Sequence, residues 1–156
     1  MSARIIFNAS TNPVTLEVLR DRLGLLLPYK CELDSLDYFG HTIPQLVIHT
    51  RVPIALQLEE DPEIVLEEIS EMVTDAEDEG FFDEKTREQM RQCTAAIDLH
   101  TTTPPKVSHF EEGGMLISTP NDVDPRDHEI ERILLSVASF VKGWVYDNLN
   151  GGWIVG

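Results

Sequence analysis

Three strand-like segments follow one another in the first half of the chain, and this order constrains the fold more than any other feature. The segments are YKCELDSLDY, QLVIHT and IALQLEE. No helical pattern lies between them, and the tripeptide RVP divides the last two, because Pro53 makes one uninterrupted strand unfavourable. Segments with such short connections are expected to pair with one another. They predict one mixed or antiparallel sheet.

Helical patterns lie on both sides of these strands. After a first strand, ARIIFN, Thr11 or Asn12 is the expected cap of a helix with Pro13 at its first position. A second helix is expected to open at Asp61 and Pro62 and to end before Gly80. The shorter helical stretch DEKTREQMRQC and the strand AAIDLHTTT follow. The expected apolar stripes are Val14, Leu16, Leu19, Leu23 and Leu26 in the first helix, and Val65, Ile69, Met72, Val73 and Ala76 in the second.

A third long helix is expected from its cap at Asp127 to Lys142. Residues 104–127 before it are rich in proline and contain a glycine pair, so they predict an irregular crossing with one short strand, MLIST at 115–119. Taken together, these patterns predict a single α+β domain over residues 1–156 with about three helices.

The chain ends in the segment KGWVYDNLNGGWIVG, for which helix and hairpin compete. Gly143 favours the hairpin, because a glycine after the last turn commonly ends a helix in the left-handed conformation. The strands WVYD and GWIV would then flank the turn NLNG. The two tryptophans are expected to pack in the core, and a role as exposed partner contacts is the alternative.

Length and composition bound the remaining possibilities. A chain of 156 residues can bury a sizeable core without a disulfide or a metal. The N-terminal segment is too polar for a signal peptide, and no apolar run approaches the roughly 20 residues of a membrane span. Cys31 and Cys93 show no metal-binding spacing and predict two ordinary thiols in a reducing cytoplasm. Nothing in the sequence indicates the oligomeric state.

Charge is the strongest functional feature of the sequence. The formal net charge is −16, and residues 59–84 hold 13 of the 28 acidic side chains and none of the 12 basic ones. Within the second helix Glu63, Glu67, Glu71 and Asp75 recur every four residues, so they are expected on one helical face. Like charges at this spacing destabilise the helix. The acidic patch is therefore either a solubilising surface or a docking site for a basic partner.

We expect a basic protein as the partner, and neither nucleic acid nor a membrane, because no basic stripe is present. The expected partner contacts combine the carboxylates of the second helix with two phenylalanines as apolar anchors beside them. For these phenylalanines the alternative is a helix-end contact with the core. The set is Glu63, Glu67, Glu68, Glu71, Asp75, Phe81 and Phe82.

Catalytic motifs are absent from the sequence. It contains no GxSxG, P-loop, GxGxxG or HExxH pattern, so no catalytic residue, cofactor or metal is expected. The alternative is a small hydrolase or metal-dependent enzyme with a site near His49, Asp98 and His100, since these residues fall on predicted strands that could meet across the sheet.

The last third of the chain carries a resemblance. It contains AAIDLHTTT, an acidic loop and then EIERILLSVASFVKGWVYDNLNGGW, in which Gly143, Val145 and Asp147 form the pattern G-x-V-x-D. This order resembles small cytosolic bacterial immunity proteins of polymorphic or type VI secretion toxin systems, and related bacterial domains of unknown function. The resemblance implies an α+β fold and an inhibitory binding role. It transfers no catalytic residue.

Overall fold

The computed structural model describes residues 1–102, 106–109, 115–118 and 123–155. That part of the chain forms four helices and nine strands. The strands are β1 (Ala3–Phe7), β2 (Cys31–Tyr38), β3 (His41–Ile48), β4 (Ile54–Glu59), β5 (Ala95–Thr101), β6 (Lys106–His109), β7 (Met115–Ser118), β8 (Trp144–Asp147) and β9 (Trp153–Ile154). The helices are α1 (Leu16–Leu26), α2 (Pro62–Asp78), α3 (Glu84–Arg91) and α4 (His128–Val141).

Seven of the strands form one sheet in the order β2-β3-β4-β5-β1-β8-β9, and β6 and β7 pair separately. Every pairing in the large sheet is antiparallel. The predicted α+β fold is confirmed, with four helices where about three were expected. The expected break at Pro53 is also confirmed, because residues 49–53 separate β3 from β4.

The two faces of the sheet bury different helices, since successive strand residues point to opposite sides. In β1, Ile5 and Phe7 join the core that packs under α1 and α4. Ile6 joins a smaller core on the other face, which includes Val65 and Ile69 of α2 and Met90 of α3. The sheet therefore lies between two helical layers, the α1/α4 layer and the α2/α3 layer.

Helix α1 begins later than predicted. Its cap is Thr15, whose hydroxyl accepts a hydrogen bond from the Val18 amide at 3.2 Å, so neither Thr11 nor Asn12 is the cap. Pro13 lies before the helix rather than at its first position. Leu26, predicted to be in the core, is exposed, and Leu27 is buried instead. In contrast, α2 begins and ends as predicted, with Asp61 as the cap and Pro62 at the first position.

The hairpin β2–β3 continues beyond the point where β3 stops pairing with β4. It pairs from Cys31↔Ile48 to Tyr38↔His41, but β4 pairs only with Leu46–Ile48 of β3. Pro44 lies in the half of β3 that does not pair with β4, where a strand tolerates proline best. We call residues 34–45 the hairpin arm.

The predicted strand at 115–119 is confirmed as β7, whereas its partner β6 was not predicted. The predicted irregular course at residues 104–105, 110–114 and 119–122, and residue 103 at the end of the predicted strand AAIDLHTTT, lie outside the described residues.

The predicted C-terminal hairpin is confirmed in β8 and β9, although β9 has two residues instead of four. The reason for the glycine at 143 differs from the prediction. Lys142, and not Gly143, takes the left-handed conformation, with φ at 56°. A Cβ at position 143 would collide with the carbonyl oxygen of Ile6. The glycine is thus required because the chain passes close to β1 at this point.

Trp153 is buried and meets the Tyr146 ring edge-on, with 5.1 Å between centroids. The expected core packing is therefore found for this tryptophan, which lies in the core under α2 and α3.

Candidate functional site

The outer surface of α2 is a face of exposed carboxylates. The inward side chains Val65, Ile69, Val73 and Ala76 are buried and fix the rotation of the helix. Glu63, Glu67, Glu71 and Asp75 consequently point outward, as the sequence predicted, and all four are exposed. We call these four residues the acidic face. They span about 18 Å along the helix axis, at 1.5 Å per residue. None of them forms an ion pair with another described residue.

The negative charge is concentrated in one helix of the molecule. Helix α2 contains seven acidic residues and no lysine or arginine. Helices α1 and α4 on the other side of the sheet together contain four acidic and three basic residues. Helix α3, in the same layer as α2, contains two acidic and three basic residues, so the strong negative field belongs to α2 itself.

Glu68 differs from the acidic face although it is next to Glu67 in sequence. It turns toward the sheet and forms an ion pair with the Nη1 atom of Arg4 on β1. Arg4 also donates two hydrogen bonds to Asp98 on β5, Nε to Oδ1 at 2.7 Å and Nη2 to Oδ2 at 2.9 Å. Arg4 is 5% exposed and Asp98 8%. Glu68 thus connects α2 to the buried Arg4–Asp98 pair, and its carboxylate contacts Arg4.

The Arg4–Asp98 pair is part of a polar row that crosses the α2 side of the sheet. The row has one polar residue on each of six neighbouring strands, and the strand registers place these residues opposite one another except between β3 and β4. Gln57 Nε2 donates to Gln45 Oε1 at 3.4 Å within this row. In strand order the row is Asp34, Gln45, Gln57, Asp98, Arg4 and Tyr146. Sequence reasoning missed it, although Arg4 and Asp98 are the single charged residues within two otherwise apolar strand segments.

The residues of the alternative enzyme site have other contacts. The Nε2 atom of His49 lies 2.6 Å from Oε1 of Glu32. This hydrogen bond, together with the charge of Lys30, lowers the pKa of the Glu32 carboxyl. Asp98 is held by Arg4, and His100 follows two residues later on β5. Among the residues that the structure describes, no group of three or more histidine, cysteine or acidic side chains could hold a metal ion.

The two phenylalanines after α2 have different environments. Gly80 and Phe82 both have positive φ, at 73° and 64°, so the chain turns sharply here. The Phe82 ring packs edge-on against Trp153 at 5.5 Å between centroids, and Phe82 is half-buried. Phe81 is exposed. Phe82 therefore makes the alternative contact with the core, and Phe81 is the one that a partner can reach.

The three residues of the G-x-V-x-D pattern have structural positions. Gly143 is in close contact with β1, and Val145 is buried in the core under α1 and α4. Asp147 is fully buried and accepts hydrogen bonds from Arg126 Nε at 2.9 Å and from the amides of Leu149 and Asn150. Burial raises the pKa of this carboxyl, but the hydrogen bonds from Asn150, Arg126 and Leu149 outweigh it and the net pKa is lowered. Asp147 closes the hairpin loop and connects it to the segment before α4.

Comparison of the chain with protein-family models, curated proteins and solved structures gave no match. Within the described ranges, no helix combines the length and the apolar character that crossing a membrane would need.

Proposed function

We propose that this protein is a non-catalytic binding module that docks a basic protein surface onto the acidic face of α2. The observation that carries the proposal is the row of four exposed carboxylates without ion pairs to any described residue. A row of this kind creates a strong local field, and a complementary field on a partner raises the association rate and fixes the orientation of the complex.

The comparison of α2 with the other helices supports a specific role over simple solubility. A solubilising surface usually mixes both signs of charge. Helices α1, α3 and α4 show this mixture, whereas α2 does not. The three i,i+4 pairs of the acidic face each cost about 0.2–0.5 kcal/mol of helix stability. Asp75 and Asp78 also lie near the C-terminal end of α2, where negative charge opposes the helix dipole. A basic partner would relieve this repulsion.

The sequence resemblance suggests the class of partner. Immunity proteins act in the cytoplasm as stoichiometric inhibitors of toxins, so a basic toxin effector is the first partner to test. In that role the acidic face would cover a basic surface of the toxin. The enzyme alternative gains no support from the contacts of Asp98 and His49, because each is already paired with a charged neighbour.

The experiment begins with capture of the partner from the native cell, followed by measurement of the association rate of the purified pair at several salt concentrations. The variant Glu63→Gln/Glu67→Gln/Glu71→Gln should lower the association rate at least about tenfold at low salt. It should remain as stable as the parent, because glutamine keeps the helix propensity and removes like-charge repulsion.

A matched control removes the same charge elsewhere. The variant Asp21→Asn/Asp34→Asn/Glu131→Gln changes three acidic residues outside α2 and should leave most of the association rate intact. Equal rates for the parent and the α2 variant would refute the docking role. An equal decrease in both variants would also refute it, since net charge alone would then explain the effect.

Neighbouring residues provide a second control. Glu67→Gln should weaken binding without loss of stability. Glu68→Gln should cost about 1 kcal/mol of stability, because Arg4 loses one partner, while partner affinity stays unchanged. Chemical denaturation and binding kinetics on the same two samples measure both effects.

A further inference from the structure

An apolar cleft lies between the start of α1 and the hairpin arm. Its volume is about 580 Å³, within the range of about 300–1,000 Å³ that is usual for ligand pockets. Ile43 and Pro44 of the arm line the cleft together with Val14 and Val18 near the start of α1, and Leu58 of β4 also lines it. Val18 is 44% exposed although it is apolar.

Carboxylates stand at the rim of this cleft. Glu17 and Glu60 both line it, and both are exposed. Glu17 lies in the first turn of α1, where its charge offsets the positive end of the helix dipole. Neither has an ion pair with a residue in the described ranges. An occupant of the cleft therefore meets apolar walls and a negative rim.

The cleft and the acidic face are connected through the segment between β4 and α2, because Glu60 lines the cleft. Glu60 directly precedes Asp61, the cap of α2, and Glu63 follows in the first turn of that helix. Glu60 at the cleft and Glu63 on the acidic face are thus three residues apart in the chain. A few buried anchor side chains, often aromatic, usually carry most of the binding energy of a protein interface.

We infer that the cleft receives one apolar side chain of the basic partner, from a segment in which lysines or arginines flank that side chain and meet Glu17 and Glu60. This inference rests on the docking role of the acidic face. It adds what the charges alone do not provide, namely a preference among basic surfaces for those that carry an exposed apolar residue.

Two synthetic pentapeptides test the inference. Each has two arginines on either side of a central residue, which is phenylalanine in one peptide and serine in the other, and both have blocked ends. Binding to the full chain is measured by NMR titration at an ionic strength of about 0.01 M, where screening is weak. The phenylalanine peptide should bind about tenfold more tightly, because only it buries an aromatic ring.

Val18→Gln should reduce the difference between the peptides to less than about twofold, since glutamine places a polar group in the cleft wall. The variant should fold, because position 18 is exposed and glutamine is a better helix former than valine. Leu25→Gln is the matched control. Leu25 lies on the same helix outside the cleft and is 84% exposed, so this variant should keep the full tenfold preference.

Equal affinity for the two peptides would overturn the cleft as an anchor site. If the Glu63→Gln/Glu67→Gln/Glu71→Gln variant then weakened both peptides alike, the docking role of α2 would stand without it. A lack of binding by either peptide would likewise overturn the cleft, and partner capture would decide the role of α2 separately. Sedimentation of the parent as a dimer and of Val18→Gln as a monomer would assign the cleft to a second copy of the chain and overturn the inference.

Discussion

Asp98→Asn is the substitution that most directly tests whether the charged residues on the sheet are structural. The Asp98 carboxylate accepts two hydrogen bonds from Arg4, at 2.7 and 2.9 Å. Asparagine keeps the shape of the side chain but turns one acceptor into a donor. The guanidinium would then face an amide N–H group in a site where both residues are buried, 5% and 8% exposed.

The expected magnitude follows from the burial. Removing one partner of a buried ion pair costs about 3–5 kcal/mol. Arg4 keeps its second partner, Glu68, but that side chain is 44% exposed and is therefore partly screened by water. We expect a loss near the lower end, about 3 kcal/mol. For a chain of this length, such a loss lowers Tm by about 6–12 °C.

Urea denaturation, monitored by tryptophan fluorescence, measures the loss of stability, and Asp34→Asn serves as the control. Asp34 belongs to the same polar row but is exposed, so its change should stay within about 0.5 kcal/mol. The double variant Arg4→Met/Asp98→Leu should recover most of the stability, because it removes both charges of the buried pair together. Glu68 also loses its partner in this variant, but its side chain is 44% exposed and water can hydrate the carboxylate. Two results would refute the reasoning. One is a loss of stability below about 1 kcal/mol for Asp98→Asn. The other is a loss in the double variant as large as the sum of the losses in Arg4→Met and Asp98→Leu.

Three further outcomes are expected. Gly143→Ala should cost about 1–3 kcal/mol in thermal unfolding, because the new Cβ collides with the Ile6 carbonyl oxygen and β1 must shift. Asp147→Asn should be less stable than the parent at pH 7. The folded-state pKa of Asp147 is lowered, so its contribution to the free energy of unfolding is present above the unfolded pKa of about 3.9 and is lost as pH falls through the folded pKa. The free energies of unfolding of the parent and the variant, measured against pH, should therefore converge in acid. Cys93, whose pKa burial raises to about 12, should resist alkylation at about pH 8 in the folded protein while the half-buried Cys31 reacts first, as intact mass would show.

Elements with local determinants could be predicted from the sequence. Asp61 and Pro62 place the start of α2, and its inner stripe fixes its rotation. Both depend on residues a few positions apart. The start of α1 was predicted too early, because Pro13 also fits the extended segment that precedes Thr15. Position 143 shows the limit of local reasoning: the helix end is local, but the need for glycine arises from contact with β1, more than 130 residues earlier in the chain.

In the candidate site, too, features that depend on nearby residues could be predicted, and features that depend on distant ones could not. The outward direction of Glu63, Glu67, Glu71 and Asp75 follows from helical spacing and was predicted. The Arg4–Asp98 pair depends on the register of β1 against β5, residues 94 positions apart, and sequence spacing does not contain that register. The cleft beside the hairpin arm likewise requires the relative position of α1, β3 and β4, so the patterns in the sequence could not reveal it.

Two adjacent residues of α2 differ in what they contact: Glu68 attaches the helix to the sheet, and Glu67 belongs to the exposed acidic face. A step of one residue turns the side chain by about 100°, which sends Glu67 to solvent and Glu68 to the sheet. The apolar stripe and the Glu68–Arg4 pair together hold α2 in place, and this attachment offsets the repulsion among the outer carboxylates. The backbone that carries the acidic face is therefore already folded before any partner arrives. If a partner docks on it, binding requires little backbone ordering, and complementary charge can act mainly on the association rate.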